Sequence, residues 1–345
     1  MNIKQRINAF VQTGLFIKRH FNSDLRIESE KTLNEGLNNL IEMAYLYNGW
    51  FVKDFVEESL RNIGRMLEEK SLQNFCKDIS EPKKQKTVAV IMAGNIPMVG
   101  FHDFMCVLLS GNKVMLKLSA DDNVLLPFFI KLLDHYENEM SSNIIFAADK
   151  LSDFDAVIAT GSNNTSNYFE YYFGKYPHII RKNRTSVAVL TGKESKQDLI
   201  NLGKDIFLYF GLGCRNVSKL LVPKNYVFDT LFESVFDYKY VLDNKKYGNN
   251  YEYNRAIYLL NADKFLDNNF LIIKEDKGLH SPVSVLFYET YDSENNLKKY
   301  LDENAHVLQC IVGKGPDYIP FGYSQQPVIT DYADGMNTLN FLVTL

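Results

Sequence analysis

From Glu30 to about Lys77 the apolar residues recur every three or four positions: Leu33, Leu37, Leu40 and Ile41, then Phe51 and Phe55, then Leu60, Ile63 and Leu67. That is the period of amphipathic helices laid against another surface. Trp50 falls in the same set and reads as a core anchor. The charged stretch Glu81-Pro82-Lys83-Lys84-Gln85-Lys86 breaks the pattern. Pro82 prevents a helix from running through it, so a connector is expected.

Beyond the connector the period changes. Thr87–Met92 is a short β-branched run, followed by Gly94-Asn95-Ile96-Pro97, a helical stretch ending near Gly111, and a second run at Lys113–Leu118. A strand, a turn, a helix opened by proline and a second strand make one βαβ unit. The alternation continues: helix from Asp121 to about Tyr136, strands at Asn143–Ala147 and Asp155–Thr160, helix at Asn163–Phe173, strand at Thr185–Leu190. It predicts an α/β fold with a mostly parallel sheet covered on both faces, and ligands at the carboxyl ends of the strands.

A second set follows. It runs through a helix from about Ser195 to Phe210, strands at Ser218–Val222, Arg255–Leu260, Phe270–Ile273 and Ser284–Tyr288, a helix at Ser293–Asp302 and a strand at Val307–Val312. The stretch from Asp237 to Asn254 is rich in Asn, Tyr, Asp and Lys without clear period and reads as a mobile surface loop. The break near Gly192 marks the expected domain boundary.

Composition narrows the class. The 345 residues suggest two domains, and 46% hydrophobic with 23% charged residues fits a globular chain. Lys and Arg total 38 against 42 Asp and Glu, a net charge of -4. This lacks the basic excess of a nucleic-acid binder. No apolar run is long enough to span a bilayer and no export signal is expected. The four cysteines, Cys76, Cys106, Cys214 and Cys310, are widely spaced with no CxxC pair, so reduced thiols in a cytoplasmic protein are expected. No metal site is expected from the scattered histidines.

One cysteine stands apart. Cys214 lies in Phe210-Gly211-Leu212-Gly213-Cys214-Arg215-Asn216-Val217-Ser218, where two glycines permit close approach of backbone to substrate and Arg215 adds a neighbouring cation for a thiolate. It is the candidate nucleophile. The Gly-x-Gly here follows a helix and lacks the third glycine, so it is not a dinucleotide fingerprint. Cys106, four residues from His102, and Cys310 lie in apolar stretches and read as core. Asn95 ends the first strand, where its amide can face a cleft or simply serve turn chemistry. Thr160-Gly161-Ser162 links a strand to a helix, so its N–H and hydroxyl groups can receive a phosphate or merely cap the helix.

In order, these pieces resemble the aldehyde dehydrogenase superfamily. Gly94-Asn95-Ile96-Pro97 is similar to its Trp-Asn-x-Pro turn, and Gly111–Ser119 to its Gly-Asn-x-Val-Val-Leu-Lys-Pro-Ser strand. Thr160-Gly161-Ser162 matches its phosphate turn, Gly211-Leu212-Gly213-Cys214 its Gly-Gln-x-Cys nucleophile and Ser281-Pro282-Val283 its Gly-Pro-Val. Pro97–Phe104, Leu212–Lys219 and Gln325-Gln326-Pro327 resemble one branch, the bacterial long-chain acyl-CoA reductases of the LuxC type.

The resemblance implies an aldehyde-dehydrogenase-like α/β fold. A Rossmann-type cofactor domain would cover 86–191 and a smaller α/β catalytic domain 192–315, with a helical segment 1–80 packed on the first and 316–345 returning to it or to an interface. It implies Cys214 as acyl-accepting nucleophile, Asn95 as oxyanion donor, Lys117 and Ser119 on the adenosine ribose side of the cofactor, and Thr160, Gly161 and Ser162 at the pyrophosphate. The implied reaction is reduction of a long-chain fatty acyl-CoA to the aldehyde through a thioacyl cysteine. A homo-oligomer and an acyl-activating or acyl-transferring protein partner are the further expectations.

Departures sharpen this. The hydrolytic glutamate of aldehyde-oxidising members is replaced by Lys182-Asn183-Arg184-Thr185, which favours reduction over hydrolysis. The glutamate that often follows Lys-x-Ser in NAD-preferring members is Ala120. Its absence lowers repulsion against a 2′-phosphate and leaves Lys117 to attract one, so NADPH is expected and NADH permitted, with Asp121 and Asp122 nearby. Gly278-Leu279-His280-Ser281-Pro282 stands where a ribose-binding glutamate is common. An acyl-phosphate reductase, or a non-catalytic nucleotide-binding or assembly protein, fits the same residues.

Overall fold

The computed structural model describes residues 1–147 and 150–345, and of Asn163 the backbone only. It divides into two units, Met1–Lys182 with Pro327–Leu345, and Asn183–Gln326.

The first unit opens with four helices, α1 (Ile3–His20), α2 (Lys31–Tyr47), α3 (Lys53–Met66) and α4 (Glu69–Phe75). A capping box starts α1: Asn2 and Gln5 each accept the other's backbone N–H, and Lys18, Arg19 and His20 complement the dipole at its end. Its buried face, including Phe10, Phe16 and Ile17, packs on α3 and α6 (Leu125–Tyr136). Burial of each such side chain contributes roughly 1.5–3 kcal/mol.

Five short strands follow: β1 (Thr87–Ile91), β2 (Lys113–Lys117), β3 (Ile144–Phe146), β4 (Ala156–Thr160) and β5 (His178–Arg181). They pair entirely in parallel in the order β3-β2-β1-β4-β5. The crossovers carry α5 (Phe101–Leu109), α6 and α7 (Asn163–Phe173). Val88, Ala89 and Val90 of β1 are buried on both faces, as the unbroken β-branched run requires. The chain steps outward from β1 through β2 to β3 and then reverses to β4, so the crevice beside β1 and β4 is a topological switch point.

The C-terminal stretch returns to this sheet. Arg181 at the end of β5 is buried and ion-paired with Asp103 of α5 at 2.7 Å, and it donates to Thr338 and to the Ala333 carbonyl. His102 donates to the Ile329 carbonyl at 2.8 Å and stands 3.7 Å from the Cys106 sulfur. Burial raises the Cys106 thiol and lowers the His102 imidazole, so this pair is core packing.

The second unit contains β6 (Thr185–Val189), α8 (Lys196–Phe207), β7 (Val217–Pro223), α9 (Asp229–Ser234), α10 (Lys245–Leu260), β8 (Leu266–Asp267), β9 (Ile272–Glu275), β10 (Val285–Tyr291), α11 (Glu294–Asn304) and β11 (Leu308–Val312). The sheet order is β11-β6-β7-β10-β9-β8, antiparallel only between β8 and β9.

Three sequence expectations change here. The loop expected at Asp237–Asn254 and the strand expected at Arg255–Leu260 are largely the single helix α10. Asn244 caps it, accepting from the Lys246 and Tyr247 N–H groups, and Tyr247, Tyr251 and Asn254 form its buried stripe. The boundary falls after Lys182 instead of near Gly192. The strand β5 completes the first sheet, and β6 pairs with β7 and β11. The return to the first unit begins at Pro327 instead of residue 316, because the Asp205 carboxylate holds the Gly322 and Ser324 N–H groups at 2.6 and 2.9 Å.

Candidate active site

Six of the seven candidate residues lie at the carboxyl edge of the first sheet. Asn95 is exposed in the turn after β1, and Lys117 and Ser119 are half-buried at the end of β2. Thr160, Gly161 and Ser162 lead from β4 into α7. Parallel pairing sets β2 and β4 on either side of β1, with Ile91 opposite Lys117 and Ala159.

The Asn95 turn is built by contacts of long sequence range. The Asn48 amide donates to the Asp121 carbonyl at 3.2 Å and the Gly94 carbonyl at 3.4 Å. Ser59 Oγ donates to the Pro97 carbonyl at 2.8 Å, and Asp122 Oδ2 accepts the Met98 N–H at 2.8 Å. Met98 has a positive φ of 60°, a strained conformation held by that carboxylate. Burial pushes the Asp122 carboxyl up to about 6, against the N–H groups of Met98 and Leu125 that lower it. Asp122 is therefore turned inward, while Asp121 is exposed, its N–H donating to Ser119 Oγ at 3.2 Å.

Ser162 caps α7, its Oγ accepting the Thr165 N–H at 3.2 Å. A strand thus runs straight into a helix N-terminus at the switch point, where N–H dipoles favour an anion. A Cβ on Gly161 would come within 3.0 Å of Thr165 and Phe169, so the turn lies tight under the first turn of α7.

Cys214 belongs to the second unit, in the turn between α8 and β7. It is exposed, whereas Cys76, Cys106 and Cys310 are buried and burial pushes the Cys76 thiol up to about 12. The location is the amino edge of the second sheet, the reverse of the edge used in the first unit. Three features fix the turn. Tyr209 (φ 54°, ψ 28°) and Phe210 (φ 55°, ψ 24°) are both left-handed and buried, followed by Gly211 at φ 77°. Each such non-glycine residue costs roughly 1–2 kcal/mol. The Phe210 ring packs on Tyr247 of α10 with centroids 5.9 Å apart, so the segment expected to be a mobile loop supports the nucleophile turn.

The second feature is Asn216, buried at 2% exposure. Its amide nitrogen donates to the Leu208, Asp205 and Ile206 carbonyls at 2.8, 3.0 and 3.4 Å, and its Oδ1 accepts the Gly213 N–H at 2.9 Å. The third is Ser186 of β6, whose Oγ donates to the Cys214 carbonyl at 2.9 Å. Arg215 donates from Nε to the Ser324 carbonyl, tying the turn to the segment before Gln325-Gln326. Ser218 donates to the Leu279 carbonyl at 2.6 Å, which brings the Gly278–Ser284 loop to the same edge. Asn48, Ser59, Asp122 and Ser186 carry no motif signal, and Asn216 carries only its place two residues after the cysteine.

Among the described residues no group of His, Cys, Asp and Glu is placed to hold a metal ion, and no helix is long and apolar enough to cross a membrane.

The profile of acyl-CoA reductases (LuxC) matches residues 15–227. The fold is similar to that of an aldehyde dehydrogenase from Bacillus cereus in complex with NAD+, with TM-score 0.62 and 13% identity over 92% of this chain and 72% of that one. It is similar to an indole-3-acetaldehyde dehydrogenase complexed with NAD+, with TM-score 0.65 and 13% identity over 92% and 72%. A propionaldehyde dehydrogenase variant from a Clostridium phytofermentans bacterial microcompartment gives TM-score 0.58 and 10% identity over 92% and 79%. No curated protein matches the chain. Identities this low speak for the fold, which is aldehyde-dehydrogenase-like.

Proposed function

The chain belongs to the acyl-CoA reductase (LuxC) family, and from that premise we propose that it reduces a fatty acyl-CoA to the aldehyde through a thioester on Cys214. The observation that carries this reading is the contrast among the cysteines: three are buried, and the exposed one sits in a strained turn fastened by buried polar side chains. Such strain concentrates at functional sites.

The Cys214 thiolate attacks the acyl carbonyl, a C–S bond forms, and CoA leaves as its thiolate. The Cys214 N–H and the Asn95 amide are the proposed donors to the tetrahedral oxyanion, each worth roughly 3–4 kcal/mol in comparable sites. The carboxyl edge of the first sheet fits a nicotinamide dinucleotide. Thr160, Gly161 and Ser162 with the first turn of α7 would hold its pyrophosphate, and Lys117 and Ser119 its adenosine ribose. Bound in reduced form, it supplies the hydride that converts the thioester to aldehyde and thiolate. Ala120 supplies no carboxylate and Asp122 is turned inward, which lowers repulsion against a 2′-phosphate and supports NADPH, while the exposed Asp121 beside Ser119 leaves NADH permitted. Lys182-Asn183-Arg184-Thr185 supplies no carboxylate to activate water, so the acyl-enzyme persists until it is reduced.

Acyl-CoA-dependent oxidation of NADPH, measured beside an acyl phosphate of the same chain, tests this. The reading requires turnover with the thioester that Cys214→Ala abolishes. Turnover with the acyl phosphate alone contradicts it.

A further inference from the structure

We propose that Ser186 and Asn216 are positioning residues that fix the two peptide groups flanking Cys214 and so present the Cys214 N–H to the acyl oxygen. The inference rests on the reading of Cys214 as the acyl acceptor.

The argument starts from the peptide between Gly213 and Cys214. Its carbonyl oxygen accepts the Asn216 N–H at 2.9 Å, closing a tight turn. In a trans peptide the N–H points opposite to the C=O. Turning the Gly213 carbonyl into the loop therefore turns the Cys214 N–H away from that carbonyl, at the one exposed cysteine. The Asn216 side chain prevents this turn from rotating as a body. Its Oδ1 holds the Gly213 N–H at 2.9 Å, and its nitrogen reaches back to the carbonyls that end α8. The next peptide is fixed from another element, because Ser186 Oγ donates to the Cys214 carbonyl at 2.9 Å. Ser186 is fully buried and stands on β6, paired in register with Val217 of β7. One peptide plane is thus held by a buried side chain of the turn, itself anchored to the end of α8, and the next by a buried side chain on β6, as an oxyanion donor needs to be placed before reaction.

The test separates orientation of the N–H from reactivity of the sulfur. Ser186→Ala and Asn216→Ala are compared with wild type in two reactions: acylation, timed by quenched-flow intact mass with saturated acyl-CoAs from butanoyl to octadecanoyl, and alkylation of Cys214 by iodoacetamide, which develops no oxyanion. Acylation and kcat are expected to fall about tenfold in Ser186→Ala and about a hundredfold in Asn216→Ala. KM and the alkylation rate should stay within about twofold. Should Asn216→Ala not fold, Ser186→Ala decides alone, since it removes one oxygen and leaves the turn's other bonds intact. Variants acylated as fast as wild type, or losing acylation and alkylation in parallel, overturn the inference. A wild-type chain that takes no acyl group on Cys214 overturns the function proposal as well.

Discussion

Gly94 and Ser119 approach so closely that a Cβ at position 94 would lie 2.6 Å from the Ser119 Oγ. Two sequence motifs on neighbouring strands therefore meet in one packed contact, and the glycine exists for that contact. Gly94→Ala must push Ser119 and the Asn95 turn apart. The expected result is a loss of about 1–3 kcal/mol in stability, typical of overpacking, together with weaker NADPH binding. Thermal melts and a fluorescence titration with NADPH check both. Unchanged binding would remove Ser119 from the cofactor contacts.

Asn95 carries a separate prediction. Asn95→Ala should lower turnover by roughly 10²–10³ with little change in melting temperature, because the side chain is exposed and the turn is held by Asn48, Ser59 and Asp122. Steady-state kinetics beside a melt measure the two effects. An unaltered kcat would reduce Asn95 to turn chemistry.

Much of this was legible in the chain. The βαβ grammar from Thr87 to Thr160 matches the observed first sheet, since short β-branched runs buried on both faces leave a plain signal. Helix α10 was not legible: Tyr247, Tyr251 and Asn254 are its buried stripe, but they lie among Asn, Lys and further Tyr residues whose polarity hides the period. The strand β5, only four residues long, is too short to carry a readable period. The motifs name Cys214 and Asn95, yet the side chains that fasten their turns bond from far along the chain, Ser186 to Cys214 over 28 residues and Asn48 to Gly94 over 46. Contacts made only by folding leave no local pattern.

Asp122 makes stability depend on pH with a definite sign. Burial raises its folded pKa from 3.8 to about 6, so between those values the native state holds more protons than the unfolded chain. Stability then falls as pH rises from about 4 to about 6, by up to about 3 kcal/mol in all. Asp122→Asn keeps an oxygen for the Met98 N–H and has no charge to bury. It should melt above wild type at pH 7 and lose that advantage at pH 4, as read by denaturant or thermal unfolding across the range. An advantage equal at both pH values would show that Asp122 titrates normally.

Cofactor choice turns on position 120. Ala120 is exposed beside Ser119, and Ala120→Glu places a carboxylate on the proposed ribose side. Repulsion of a 2′-phosphate should lower the NADPH to NADH ratio of kcat/KM about tenfold, roughly 1.4 kcal/mol. A ratio that does not move would place the adenosine ribose elsewhere.

The most direct test is to incubate the chain with acyl-CoAs in the absence of reductant, digest it, and locate the acyl group by mass spectrometry. The account predicts a single thioester on the peptide containing Cys214, absent from Cys214→Ala and discharged on addition of NADPH. No adduct, or an adduct on a different residue that survives Cys214→Ala, would contradict it.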